Sequence, residues 1–193
     1  MRILVPAFLA AVVTAETAWA HTAGGPGEGL RAGFLHPLFG SDHIAAMVAV
    51  GLWGALLGNP ALWLLPVAFP LVMAAGGVVA IAGVPIPGIE PGIALSAVVL
   101  GMMIAFAVRP PLWIALALVG TFAVFHGYAH GAELPPGGDA VTYSLGFVVA
   151  TGLLHLCGIA IGALADRRWG RILVRTGGAG IAAAGLVFVG RLV

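Results

Sequence analysis

The sequence contains no lysine, a single cysteine and, among 193 residues, only eight arginines and seven acidic side chains. Without lysine there is no Walker A loop, no Schiff-base amine and no polybasic tail, so the chain does not drive itself with a nucleotide. A net charge of +1 gives no basic surface for a nucleic acid. Cys157 has no partner in the chain, which excludes an internal disulfide. Charged residues make up 8% of the chain, about a third of the share in a soluble domain, while the mean hydropathy reaches +1.12. These scarcities describe a membrane protein. At about 20 residues per span, this length has room for about six helices and no separate soluble domain.

Residues 1–20 combine a basic start (Arg2), an apolar stretch from Ile3 to Val13 and the ending Ala18-Trp19-Ala20, the pattern of a cleaved signal peptide. An arm over 21–33 then leads into a transmembrane domain over 34–193. Six apolar segments, about 34–57, 61–82, 89–108, 112–132, 143–165 and 172–192, are separated by glycine and proline clusters and by Asp166-Arg167-Arg168. The expected fold is an all-α polytopic membrane helix bundle. With the amino terminus outside, Arg109, Arg167, Arg168, Arg171 and Arg175 fall on the inner side, as the positive-inside rule requires. Glu28, Glu90, Glu133 and Asp139 then gather outside as an electronegative mouth suited to a cation. Gly54-x3-Gly58, Gly127-x3-Gly131 and Gly158-x3-Gly162 read as close helix contacts. Glu90 reads as a helix-start carboxylate.

Ionisable groups inside spans are expensive, at roughly 3 kcal/mol each near mid-membrane, and by default mark function. In the first segment His36, Gly40, His43 and Met47 share one stripe of a regular helix, with Asp42 about 100° from His43. Pro37 disfavours helical geometry at His36, which places that residue at the helix mouth. In the fourth segment His126, His130 and Glu133 are spaced i, i+4, i+7 on one face. His43 and His126 each lie about 10 Å below the outer end of their spans, so the two motifs meet in one layer. Imidazole with carboxylate suits nickel, cobalt or zinc better than sodium or magnesium. His155 lies deeper, about 18 Å along the fifth segment, level with Met47 and Met103, and forms the next set of soft ligands inward. Cys157, about 200° round the helix, is not expected to join it. Met47, Met102 and Met103 also fit as gap-fillers. Signal-peptide cleavage leaves His21 with a free α-amine, a second chelating atom above the mouth.

His36-Pro-Leu-x-Gly-x-Asp42-His43-x3-Met47 together with Phe125-His126-Gly127-x-Ala129-His130-Gly131-x-Glu133 resembles the HupE/UreJ family of nickel/cobalt permeases, found beside hydrogenase and urease systems. The resemblance runs over the whole chain. It implies secondary uptake of Ni2+ or Co2+, with Zn2+ within the same ligand chemistry, across the bacterial cytoplasmic membrane, and a periplasmic amino terminus. It also implies His36, Asp42 and His43 as key residues and the fourth-segment histidines as the second half of the site. The ion is cargo and no resident cofactor is expected. The partners are that ion and membrane lipid, and association into a homo-oligomer stays open. The rival reading is an intramembrane zinc hydrolase with Asp42 or Glu133 activating a water, which lacks a His-Glu-x-x-His motif. A haem protein would need histidine pairs separated by most of the bilayer, and only His155 lies deep.

Overall fold

The structure is a computed structural model describing residues 28–134 and 139–192; the expected signal peptide and His21 lie outside the described residues. Every regular element among those residues is helical: α1 (Glu28–Phe39), α2 (Ser41–Leu57), α3 (Ala61–Ile81), α4 (Ile89–Ala105), α5 (Leu112–Ala132), α6 (Ala140–Gly162), a 3-10 turn (Ala163–Asp166) and α7 (Arg168–Gly190). Four lengths are long and apolar enough to cross a bilayer: α3, α5, α6 with its 3-10 extension, and α7. The bent pair α1–α2 makes a fifth, and α4 is a shorter apolar helix. The chain is thus a multi-pass helical membrane protein.

The first apolar segment departs from the single regular helix expected over 34–57. It breaks at Gly40, whose backbone is extended (φ −82°, ψ 109°), and α1 and α2 meet at 83°. His36 therefore sits inside a separate helix rather than at the mouth of the span. Pro37 is accommodated because it falls in the last turn of α1, where the loss of one N–H and the clash behind it disturb little that follows. Helix α1 also begins at Glu28, inside the stretch read as an arm. At the other expected boundaries the sequence works locally: the Asp139 carboxylate accepts from Val141 N (2.9 Å) and Thr142 N (3.4 Å), starting α6 a turn early.

Helices pair as α3 with α5, α4 with α7, and both α1 and α2 with α6. Glycines permit these contacts. A Cβ on Gly127 or Gly131 would strike the α3 backbone at Met73 or Gly77, and one on Gly51 or Gly158 would strike carbonyls of His155 or Val48. Gly58 differs from the expectation for its pair. Its φ of +77° ends α2, and nothing lies near its missing Cβ, so it serves the turn and not packing.

Apolar side chains such as Trp53, Leu65 and Leu100 fill most of the interior and also cover the outside. Trp63, Leu71, Phe106, Trp113, Val141 and Leu186 are exposed on the flanks, whereas His43, Ser96, His126, His130, Thr151 and His155 are buried. An apolar exterior suits lipid, and polar side chains buried within an apolar core demand a reason. One end of the bundle is tied by Trp53 Nε1 donating to the Val108 carbonyl (3.1 Å) and Arg175 Nε to the Ala105 carbonyl (2.8 Å). The α5 and α6 helices place Glu133 and Asp139 at the opposite end, beside α1.

Candidate metal centre

Three helix ends converge at that acidic end. Helix α1 brings His36, the first turn of α2 brings Asp42 and His43, and the last two turns of α5 bring His126, His130 and Glu133. The bend at Gly40 lets one short stretch of chain present histidines from two directions. A side chain at Gly40 would sit 2.8 Å from His43 Nδ1 and 3.1 Å from Asp42 Oδ1, so the glycine keeps this pair intact.

The imidazoles form a connected series. Ring centroids are 4.8 Å apart between His36 and His130, 4.5 Å between His130 and His43, and 4.8 Å between His43 and His126. Side-chain exposure is 37% at His36 and 55% at its neighbour Glu133, drops to 7% and 10% at His130 and His43, and reaches none at His126. The two sequence motifs thus meet in one layer, as expected, although a bend rather than a continuous stripe brings them together.

Hydrogen bonds assign the ring protons. Asp42 Oδ1 accepts from His43 Nδ1 (2.8 Å) and from the His43 backbone N–H (2.8 Å), which leaves His43 Nε2 as the lone-pair atom. Ser96 Oγ donates to the Ile93 carbonyl (2.6 Å), so its only proton is committed and it must accept from His126 Nε2 at 3.0 Å, leaving His126 Nδ1 free to ligate. His36 Nε2 lies 3.2 Å from Glu133 Oε2. That hydrogen bond, opposed by partial burial, holds the Glu133 carboxyl below its ordinary range at the outer end of α5. His43 Nε2, His126 Nδ1 and both nitrogens of His130 are buried without a hydrogen-bond partner, although Glu133 Oε2 stands 4.0 Å from His130 Nδ1. Oriented, uncommitted lone pairs backed by a second layer of acceptors are the arrangement that metal ligation requires.

At the exposed end, one donor atom each from His36, His130 and Glu133 lies within 4.8 Å of the others. An ion with bonds of about 2.1 Å spans donors up to about 4.2 Å apart, so small side-chain rotations close this set.

The remaining sequence-expected residues distribute unevenly. Met47 is fully buried in the apolar core with Val50, Trp53 and Phe69. His155 is buried deeper, its ring 5.6 Å from Phe69, and Cys157 is exposed on the other side of the helix, as its angle required. Glu90 stands in the first turn of α4. Sequence reasoning missed Ser96, Phe69 and Thr151. A serine or threonine inside an apolar helix usually bonds its own backbone and carries no distinguishing pattern.

A multi-pass helical protein with a histidine-lined interior opening at an acidic end is the class that fold and site define. The chain belongs to the HupE/UreJ family: the family model described as "HupE / UreJ protein" matches residues 9–188. It is 44% identical over 177 residues to Protein HupE of Rhizobium leguminosarum bv. viciae, covering 92% of each chain. No solved structure matches it.

Proposed function

We propose that this protein is a permease for Ni2+ or Co2+ in the bacterial cytoplasmic membrane, with six spans, the amino terminus and histidine centre on the periplasmic side, and metal supplied to a hydrogenase or urease. The observation that carries this reading is the series of four imidazoles at 4.5–4.8 Å spacing with exposure falling to zero. Family membership supports it independently.

The ion is captured at His36, His130 and Glu133, where the ionised carboxylate attracts it and begins to replace its water. It passes to His43 Nε2 and His126 Nδ1, both kept unprotonated on the ligating side by Asp42 and Ser96. Met47, one turn below His43, and His155 continue the path inward. Imidazole and carboxylate bind firmly enough to dehydrate the ion and weakly enough to pass it on, which a closed thiolate cage would not do. The membrane potential contributes about 4.6 kcal/mol per 100 mV to a divalent cation moving inward, twice the unit-charge value. His21, freed by signal cleavage, adds a capture point before the mouth.

Radiolabelled Ni2+ and Co2+ uptake by liposomes containing only this protein tests the proposal. Uptake that is driven by an inside-negative potential and abolished in His43→Ala is the expected result. A protein that retains metal but transports none would overturn it.

A further inference from the structure

Inward of the histidine centre the bundle buries polar atoms that no protein group satisfies. Thr151 and His155 lie one turn apart on the same face of α6 and are 0% and 1% exposed. Thr151 Oγ1 and both ring nitrogens of His155 have no hydrogen-bond partner. A hydroxyl in a helix normally bonds the carbonyl three or four residues back. Thr121 does so with Ala117, Thr176 with Ile172 and Ser96 with Ile93. Thr151 does not, although it is the threonine with most to lose, so its hydroxyl is turned away from its own backbone.

A third polar atom reaches the same place from α3, which contains both Pro66 and Pro70. Pro70 has no N–H, so the carbonyl of Pro66, four residues earlier, lacks its helical donor. That carbonyl approaches the His155 ring, yet neither ring nitrogen completes a hydrogen bond with it. The Phe69 ring stands between this level and the one above, 5.7 Å from His126 and 5.6 Å from His155.

We propose that Thr151 Oγ1, His155 and the Pro66 carbonyl form a second, inner ion site, which takes a partly hydrated borderline divalent cation after the histidine centre has released it. The proposal rests on reading that centre as the entrance of a metal path. One imidazole and two neutral oxygens, without a carboxylate, hold such an ion more weakly than the centre above. The hydroxyl is free of its own backbone, and an oxygen lone pair is what the ion needs. Two sites of descending strength separated by one apolar ring let an ion advance without being trapped.

The test is Co2+ and Ni2+ binding to the purified full-length protein, read by metal content and by the visible Co2+ spectrum, beside uptake in liposomes. Wild type is expected to bind two ions, one more weakly. Thr151→Val, which removes the hydroxyl at constant shape, and His155→Phe should each lose the weaker ion, leave the tighter one unchanged and slow uptake by about tenfold, a loss at the lower end of that seen for metal-supporting groups. Thr151→Ser should restore both. Wild-type stoichiometry and uptake in Thr151→Val and His155→Phe, as expected if water alone satisfies these atoms, would overturn the inner site while leaving the upper centre standing. Unchanged binding and uptake in His43→Ala would overturn the centre itself, and the inner site with it.

Discussion

Replacing Ser96 with Ala removes one oxygen from a fully buried position and changes little in volume, so its consequences are electronic more than steric. The His126 Nε2–H then loses its acceptor. Left unpartnered in a dry interior, it costs about 1–3 kcal/mol. The ring relieves that cost by moving its proton to Nδ1, the atom that faces the ion path without a protein partner. Either outcome penalises metal binding. Loss of an outer partner to a ligating histidine typically lowers affinity by about 10–100-fold, which is about 1.4–2.8 kcal/mol at 1.4 kcal/mol per decade and agrees with the desolvation figure. Co2+ titration of the purified protein should show this loss with the fold retained by thermal melting. Uptake should show it as a raised apparent KM more than a lowered maximal rate. A melting temperature that falls while metal affinity stays put would mean that Ser96 merely packs α4 against α5, and the tautomer argument would be wrong.

Asp42→Asn keeps an oxygen for the His43 Nδ1 proton but loses the charge, so uptake should fall by about tenfold, and Asp42→Ala should fall further; equal activity of all three proteins in liposomes would remove Asp42 from the site. Gly40→Ala places a methyl 2.8 Å from His43 Nδ1, inside the Asp42–His43 contact, and should cut uptake as severely as Asp42→Ala although no ligand is lost. Uptake should decline as external acidification protonates the ligating imidazoles, because imidazole must be neutral to bind metal. Glu133 does not set that decline. Its carboxyl is held below the ordinary carboxylate range by His36, so it is already ionised where that decline begins, and Glu133→Gln should lower uptake without moving the midpoint of the decline; a shifted midpoint would put the carboxylate in control.

The histidines are legible because each is a costly exception in an apolar run, and their spacing places two sets at matching depth. The bend is not. Pro37 is the strongest local breaker and drew the boundary to His36, yet the helix continues through it and fails at Gly40, where the absence of a side chain leaves space for the Asp42–His43 pair while the bend brings His36 back towards His130. Ser96 and Thr151 were invisible for a different reason. Their sequence surroundings are alike, and only tertiary packing distinguishes a hydroxyl that supports His126 from one that supports nothing in the protein. Gly54 and Gly58 show the same limit, since identical residues at a packing spacing divide into one that packs and one that turns the chain.

The polarity of the bundle explains why so few residues need to act. Lipid solvates the apolar flanks, so the helices are held by close backbone contacts such as Gly127 against Met73 and Gly158 against Val48 and by an apolar core around Trp53 and Phe69, which leaves the few buried polar side chains free to serve the site. Those contacts join α3 to α5 and α2 to α6, which are the helices that carry Phe69, His43, His126 and His155. Ring positions are therefore fixed by rigid backbone pairs, and proton positions by Asp42 and Ser96, so in the proposed permease an ion would meet donors already aimed at it and spend little of its binding energy on ordering them. A site organised in this way favours exchange between neighbouring donors over tight retention at any one, because no single level contains enough ligands to close the coordination shell.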